Sequence, residues 1–188
     1  MTEKPRPTAP RLAPVVNPQE EVVEAYRAGL AGPDGAPLNI FSTLAHNPKL
    51  LKRFTRYAGW FLNKGLLPPR EREIVILRVG WNCRSVYEFG QHTLIGVREG
   101  LTMDEVSALT RDAADHPWTA RDHSLIAMCD DLCADDCVSD AVWASLQRDW
   151  NEAELVELVI LAGTYRLVSG FLNTMGVQRD EGVPGWPN

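Results

Sequence analysis

Apolar positions recur along this chain at intervals of three and four residues, with no sustained two-residue alternation, and that pattern predicts helices throughout. Pro18, with Glu20 where a capping partner belongs, opens a first helix that ends near Gly29, and AGPDGAP reads as a turn-rich linker. LNIFSTLAH gives a short apolar helix, which Asn47-Pro48 interrupts and restarts as LLKRFTRYAGWFLNKG, striped by Leu50, Phe54, Tyr57 and Phe61. From Pro69, EREIVILRVGWNC reads as a buried helix; its β-branched run alone would suit a strand, but its length and lack of alternation favour helix. Ser85 with Glu88 and Thr102 with Glu105 match capping boxes, with Gly100 as the stop between. Thr119 with Asp122 and Asn151 with Glu154 mark two further helix starts.

The expected fold class is all-α, one helical domain over 18–178, with an extended proline-rich arm at 1–17 and a C-terminal tail at 179–188. The arm is expected to lie over the protein's own surface or a neighbouring subunit. A shift of 84 residues lays EIVILRVGWNCRSVY (73–87) over ELVILAGTYRLVSGF (157–171) without a gap, which reads as an internal helix-pair repeat. Glu88 then falls opposite Leu172 and His92 opposite Gly176, so only the first copy carries polar groups there.

That asymmetry points to chemistry. Glu88 and His92 share a helix face, where a carboxylate raises an imidazole's pKa and orients its ring; Glu73, ahead of an apolar run, supplies a second carboxyl. The plainer reading makes Glu88 the return half of the Ser85 capping box, the pair a surface ion pair, and Glu73 a helix-start residue repeated as Glu157. Cys129, Cys133 and Cys137 follow at i,i+4 spacing, which splays thiols along a helix instead of gathering them round a metal, so they read as small packed side chains and no metal site is expected. Trp60, Trp81, Trp118 and Trp143 read as core or subunit-interface anchors.

A net charge of −6 argues against nucleic acid or an anionic membrane surface as partner. The first eighteen residues hold no apolar leader, and four cysteines make no disulfide framework, so a cytoplasmic protein is expected.

LPPREREIVILRVGWNCRSVYEFGQHTLIGVREGLTMDEVSAL (67–109), with NIFSTLAHNPKLL and DDLCADDCVSDAVWASL, resembles the carboxymuconolactone decarboxylase and alkylhydroperoxidase-D-like family over roughly residues 10–178. The resemblance implies an all-helical bundle with an internal helix repeat, assembled as a homo-oligomer, a trimer or hexamer. In the family's peroxidase branch a Cys-x-x-Cys pair precedes the histidine; aligned on His92, those thiols fall at Ser85 and Glu88, and the family glutamate at Glu73. The Tyr-Glu-x-x-x-His form at 87–92 resembles the decarboxylase-like branches instead. By that likeness the site takes a small carboxylated, lactone-like substrate without cofactor. His92 is the expected acid, Glu88 its orienting partner and Glu73 a second proton carrier, with Tyr87, Arg78 and Cys83 as substrate contacts. Two alternatives stand beside this: a thiol peroxidase using Cys83, and an oligomeric small-molecule-binding protein without catalysis.

Overall fold

Nine consecutive buried residues, 72–80, run through one helix, so it cannot be amphipathic and must be surrounded. The computed structural model describes residues 5–15 and 36–187; the helix expected over 18–29 lies outside them. The described residues form α1 (Asn39–Leu44), α2 (Pro48–Asn63), α3 (Pro69–Asn82), α4 (Val86–Arg98), α5 (Met103–Ala108), α6 (Ala120–Asp135), α7 (Asp140–Leu146) and α8 (Glu152–Met175). The surrounded helix is α3, with α4, α6 and α8 packed on it. Its Ile74, Val75, Ile76, Leu77 and Val79 meet Phe89, Leu125, Ile126, Leu158 and Leu161 in the main core.

Burying each such aliphatic side chain contributes about 1.5–3 kcal/mol. That burial outweighs the strand propensity of the β-branched run. Helix α8 is apolar and long enough to cross a membrane, yet 56% of that stretch is buried inside the protein, as befits a core helix.

Several helix starts are as the sequence predicts. Asn47 accepts from the Leu50 N–H ahead of Pro48, Thr119 accepts from Asp122, and Thr102–Glu105 and Asn151–Glu154 close as reciprocal capping boxes. Ser85 does not follow suit. Its side chain makes no capping bond and its buried hydroxyl has no hydrogen-bond partner, while Glu88 turns elsewhere.

The reason is how α3 ends. The Ser85 N–H donates to the Gly80 carbonyl and the Arg84 N–H to Trp81, the reciprocal pair of a Schellman turn. Arg84 takes the left-handed position at φ 53°, usually glycine's, with its guanidinium 4.3 Å from the centre of the Trp81 ring. This turn folds α4 back along α3 and aims Glu88 and His92 at the centre of the bundle.

The repeat seen in the sequence is not repeated in shape. Residues 73–87 cross the α3–α4 turn, whereas 157–171 lie within the single uninterrupted helix α8. Glu157 does not mirror Glu73 either: it accepts from the backbone N–H groups of Leu66 and Leu67 and fastens the α2–α3 loop to α8.

Both described ends of the chain are docked. Residues of the arm cross the end of α8, with Arg11 N–H donating to Met175 O at 2.8 Å, so the arm lies on its own chain. The tail crosses α4, where Asp180 accepts from Tyr87, Gln91 and the Asn39 N–H, and Trp186 packs on Trp81 and Phe89. Glycine permits both crossings. A Cβ at Gly176 would lie 2.5 Å from Ala9 O, and one at Gly90 2.2 Å from Pro184 O.

Candidate active site

Along α3, Arg72 and Glu73 enter the core side by side, and α4 brings His92 and Glu88 to meet them. Arg72 Nε donates to Glu73 Oε1 at 2.8 Å, and Glu73 Oε2 lies 2.6 Å from His92 Nδ1. The other ring nitrogen, Nε2, lies 3.1 Å from Glu88 Oε1. The imidazole thus bridges two carboxylates. The Tyr165 ring of α8 meets it edge-on at 5.0 Å, fixing the ring plane.

The four charges balance when His92 is protonated. Burial alone would lower the His92 pKa, but Glu73 and Glu88 push it up to about 10. Burial alone would raise the Glu73 carboxyl, and His92 with Arg72 overcome that and hold it below the ordinary carboxylate value. At neutral pH the centre is therefore a guanidinium, a carboxylate and an imidazolium in a row, ending on Glu88. Glu73 is fully enclosed, while Glu88 retains 4% exposure and His92 6%. The whole row is buried, and only Glu73 is fully enclosed.

Of the residues singled out from sequence, Glu73, Glu88 and His92 converge, and the others do not join them. Arg78 is spent on structure: it donates to both oxygens of Asp130 on α6, at 2.6 and 2.7 Å, and to the carbonyls of Leu109 and Arg111. With its donors turned to α6 and the α5–α6 connection, it is not available as a substrate contact. Tyr87 is not one either. It sits in a second core patch with Ile40, Leu44 and Val168, and its hydroxyl donates to Asp180 at 2.6 Å, a tether for the tail. Burial and the Asp180 carboxylate both push its pKa up.

Cys83 caps the far end of α3, ten residues along from Glu73 and half-buried, and does not join the row. The three cysteines after residue 128 do not share one environment. Cys129 is buried with its thiol against Val75 O, Cys133 is half-buried, and Cys137 lies exposed beyond the last residue of α6. Trp60 and Trp143 are partly exposed instead of filling the core.

Sequence reasoning missed Arg72 and Tyr165. The signal for Arg72 was present: an arginine beside Glu73, at the head of a run too apolar to leave it in water. Tyr165 had none, since only packing brings it to His92 across 73 residues.

Residues 48–128, which hold α2 through most of α6 and the whole Glu73–His92–Glu88 row, match the carboxymuconolactone decarboxylase family. The match covers less than half of the chain, and it places this segment, with the site inside it, in that family. The architecture of the described residues, with eight α-helices, is similar to an uncharacterised peroxidase-related protein from Silicibacter sp. TM1040 (TM-score 0.80, 18% identity, 97% of each chain covered). It is similar too to the alkylhydroperoxidase AhpD core protein from Ralstonia eutropha JMP134 (TM-score 0.75, 17% identity, 95% of each chain). A third neighbour is a Cys-to-Ala variant of the debrominase Bmp8 in complex with 2,3,4-tribromopyrrole (TM-score 0.71, 13% identity, 92% of this chain and 95% of that one). At these identities the likeness is one of fold. No curated protein matches the sequence.

Proposed function

We propose that this protein is a cofactor-independent enzyme that moves protons on a small carboxylated, lactone-like substrate, with Glu88 as the group that meets the substrate and His92 as its proton reservoir. The observation that carries this reading is the buried imidazole bridging two carboxylates, of which Glu73 is fully enclosed and Glu88 is not. His92 donates through Nε2 to Glu88, and Glu73 with Arg72 keeps the imidazolium charged and fixed between turnovers.

Decarboxylation is the reaction that the family match favours. The bond to the carboxylate carbon breaks, carbon dioxide leaves, and the electron pair passes into the neighbouring carbonyl. The imidazolium of His92 passes its proton through Glu88 to the carbon, and a proton from solvent then recharges the imidazole.

The decisive measurement is carbon dioxide release from a panel of carboxylated lactones and β-keto acids, followed with the wild type and a His92→Gln variant. Loss of general acid catalysis predicts a fall of about 10²–10⁴-fold in turnover with the native elution volume retained. Equal turnover removes His92 from the mechanism; ligand binding with no product in mass spectrometry favours the non-catalytic reading.

We propose further that the outer faces of α2 and α8 are a subunit contact. Tyr57, Trp60, Leu66, Val156 and Ile160 line a shallow apolar groove there, and Leu167 continues the apolar face of α8. Val156, at 66% exposed, and Leu167, at 64%, leave more apolar surface in water than a monomeric helix ordinarily does. A Val156→Asp/Ile160→Asp double variant is expected to elute as a monomer in light-scattering chromatography where the wild type is oligomeric. An unchanged mass would place the contact elsewhere.

A further inference from the structure

Two serine hydroxyls near the Glu73–His92–Glu88 row take no part in the bonding of the fold. Ser85, at the start of α4, and Ser169, within α8, are both 0% exposed, and neither hydroxyl has a hydrogen-bond partner among the described residues. Each passes over a bond that its position offers. Asn47, Thr102, Thr119 and Asn151 cap their helices through the side chain, whereas Ser85, in the same position on α4, does not. Thr55, Thr93, Ser145 and Thr164 donate to the carbonyl four residues back, whereas Ser169 leaves that of Tyr165 unused.

The packing of α4 on α8 brings the two hydroxyls to one place. The helices run antiparallel: the Tyr165 ring meets His92 at 5.0 Å, while Asn173, further along α8, donates to the carbonyl of Cys83, ahead of α4, at 2.8 Å. Ser169 lies four residues from each of these contacts and on the same face, level with the stretch between Cys83 and His92. That stretch holds Ser85 and Glu88, which share the face of His92 through spacings of three and four residues. Tyr87, on the flank, packs with Val168 and Leu172 and fixes the same register.

Both hydroxyls therefore look into the seam between α4 and α8, next to Glu88. A buried hydroxyl without a partner weakens a fold, so two in one seam call for an acceptor from outside the chain. With no side-chain cap on its first turn, α4 also turns the positive end of its dipole to that seam. The acceptor that suits two donors and a positive helix end is an oxygen carrying negative charge.

We propose that Ser85 and Ser169 form an oxyanion-binding pair, holding the substrate oxygen that becomes negative as carbon dioxide leaves. This assignment rests on the decarboxylation proposed above. The bond to the carboxylate carbon breaks, its electron pair moves into the carbonyl, and the resulting enolate oxygen accepts from two O–H groups that keep their own protons. The carbonyl re-forms when the carbon collects the proton passed through Glu88. Donors already in place in a closed seam stabilise such a charge without rearranging at the moment of reaction.

The test follows carbon dioxide release and, separately, calorimetric binding of oxalate, whose paired oxygens mimic an enolate, in the wild type, Ser85→Ala and Ser169→Ala. Each variant is expected to lose about 10²-fold in kcat with KM within about threefold of the wild type, and to bind oxalate about tenfold more weakly. Both are expected to melt no lower than the wild type, since alanine removes a hydroxyl that the fold leaves unpaired. Unchanged kcat in both variants, unchanged oxalate affinity, or a wild type that binds no oxalate overturns the assignment. So does a fall of several degrees in both melting temperatures, which would make the hydroxyls structural. The decarboxylation fails by a different sign: a wild type that binds oxalate through the serines and releases no carbon dioxide loses the reaction and keeps the oxyanion pair.

Discussion

Replacing Glu73 by Gln is expected to cost about 3–5 kcal/mol of folding stability and to lower turnover with it, because the substitution strands two buried cations. Arg72 is paired through Nε to Glu73, and His92 faces the same carboxylate from the other side. With a neutral amide between them, the guanidinium and the imidazolium repel each other in a site that excludes water. The imidazole then loses the larger of the two carboxylate influences that raise its pKa, and gives up its proton. Urea denaturation of the wild type and the variant reads the cost directly. A companion Arg72→Met/Glu73→Leu variant, which removes both charges together, should recover most of the stability but none of the turnover. If Glu73→Gln is as stable as the wild type, the buried row is not an ion-paired unit and the protonation scheme above fails.

Thermal stability should fall as pH rises from about 6.5 toward 10. An unfolded histidine releases its proton near ~6.5, whereas folded His92 holds its own up to about 10. The folded chain therefore binds the additional proton over that interval. The stabilisation is complete below the lower value and is lost as pH climbs through the upper one. Around the ring, Arg72 and Glu73 from α3, Glu88 from α4 and Tyr165 from α8 make up the charged and titratable surroundings. Glu73, held low by His92 and Arg72, sets the opposite limb: its contribution is present above the ordinary carboxylate value and disappears on acidification. Melting curves across pH 5–10 for the wild type and His92→Gln separate this group from the other alkaline titrations, such as Cys133. The wild type should lose more of its melting temperature above pH 6.5 than the variant does; parallel curves would mean that His92 is neutral in the fold.

The helix boundaries were legible because their signals are local. Asn47 before Pro48, Thr102 with Glu105, and Asn151 with Glu154 each act within one turn, and each folds as its spacing implies. The convergence of Glu88 and His92 was legible for the same reason, since i,i+4 spacing fixes a shared face. What resisted reading depends on how helices are rotated against one another. Arg78 meets Asp130 fifty-two residues away, and nothing near Arg78 in the chain announces that partner. Ser85 and Glu88 have capping-box spacing, but the Schellman turn on Arg84 already satisfies the local backbone and frees Glu88 for His92. Tyr87, one residue from Glu88, points about a quarter-turn away on the helix and so belongs to the tail rather than the site.

Gly90 and Gly176 work as latches made of missing atoms. The tail lies where a side chain on Gly90 would stand, and the arm where one on Gly176 would stand. A single added methyl at either position would unseat a chain end many residues away. Unseating the arm releases Arg6 from the Cys83 carbonyl, and unseating the tail releases Asp180 from Tyr87. Sequence drift at two chemically inert positions therefore sets how firmly the arm is held over the end of α3 and how firmly the start of α4 is anchored, without touching a single reactive residue.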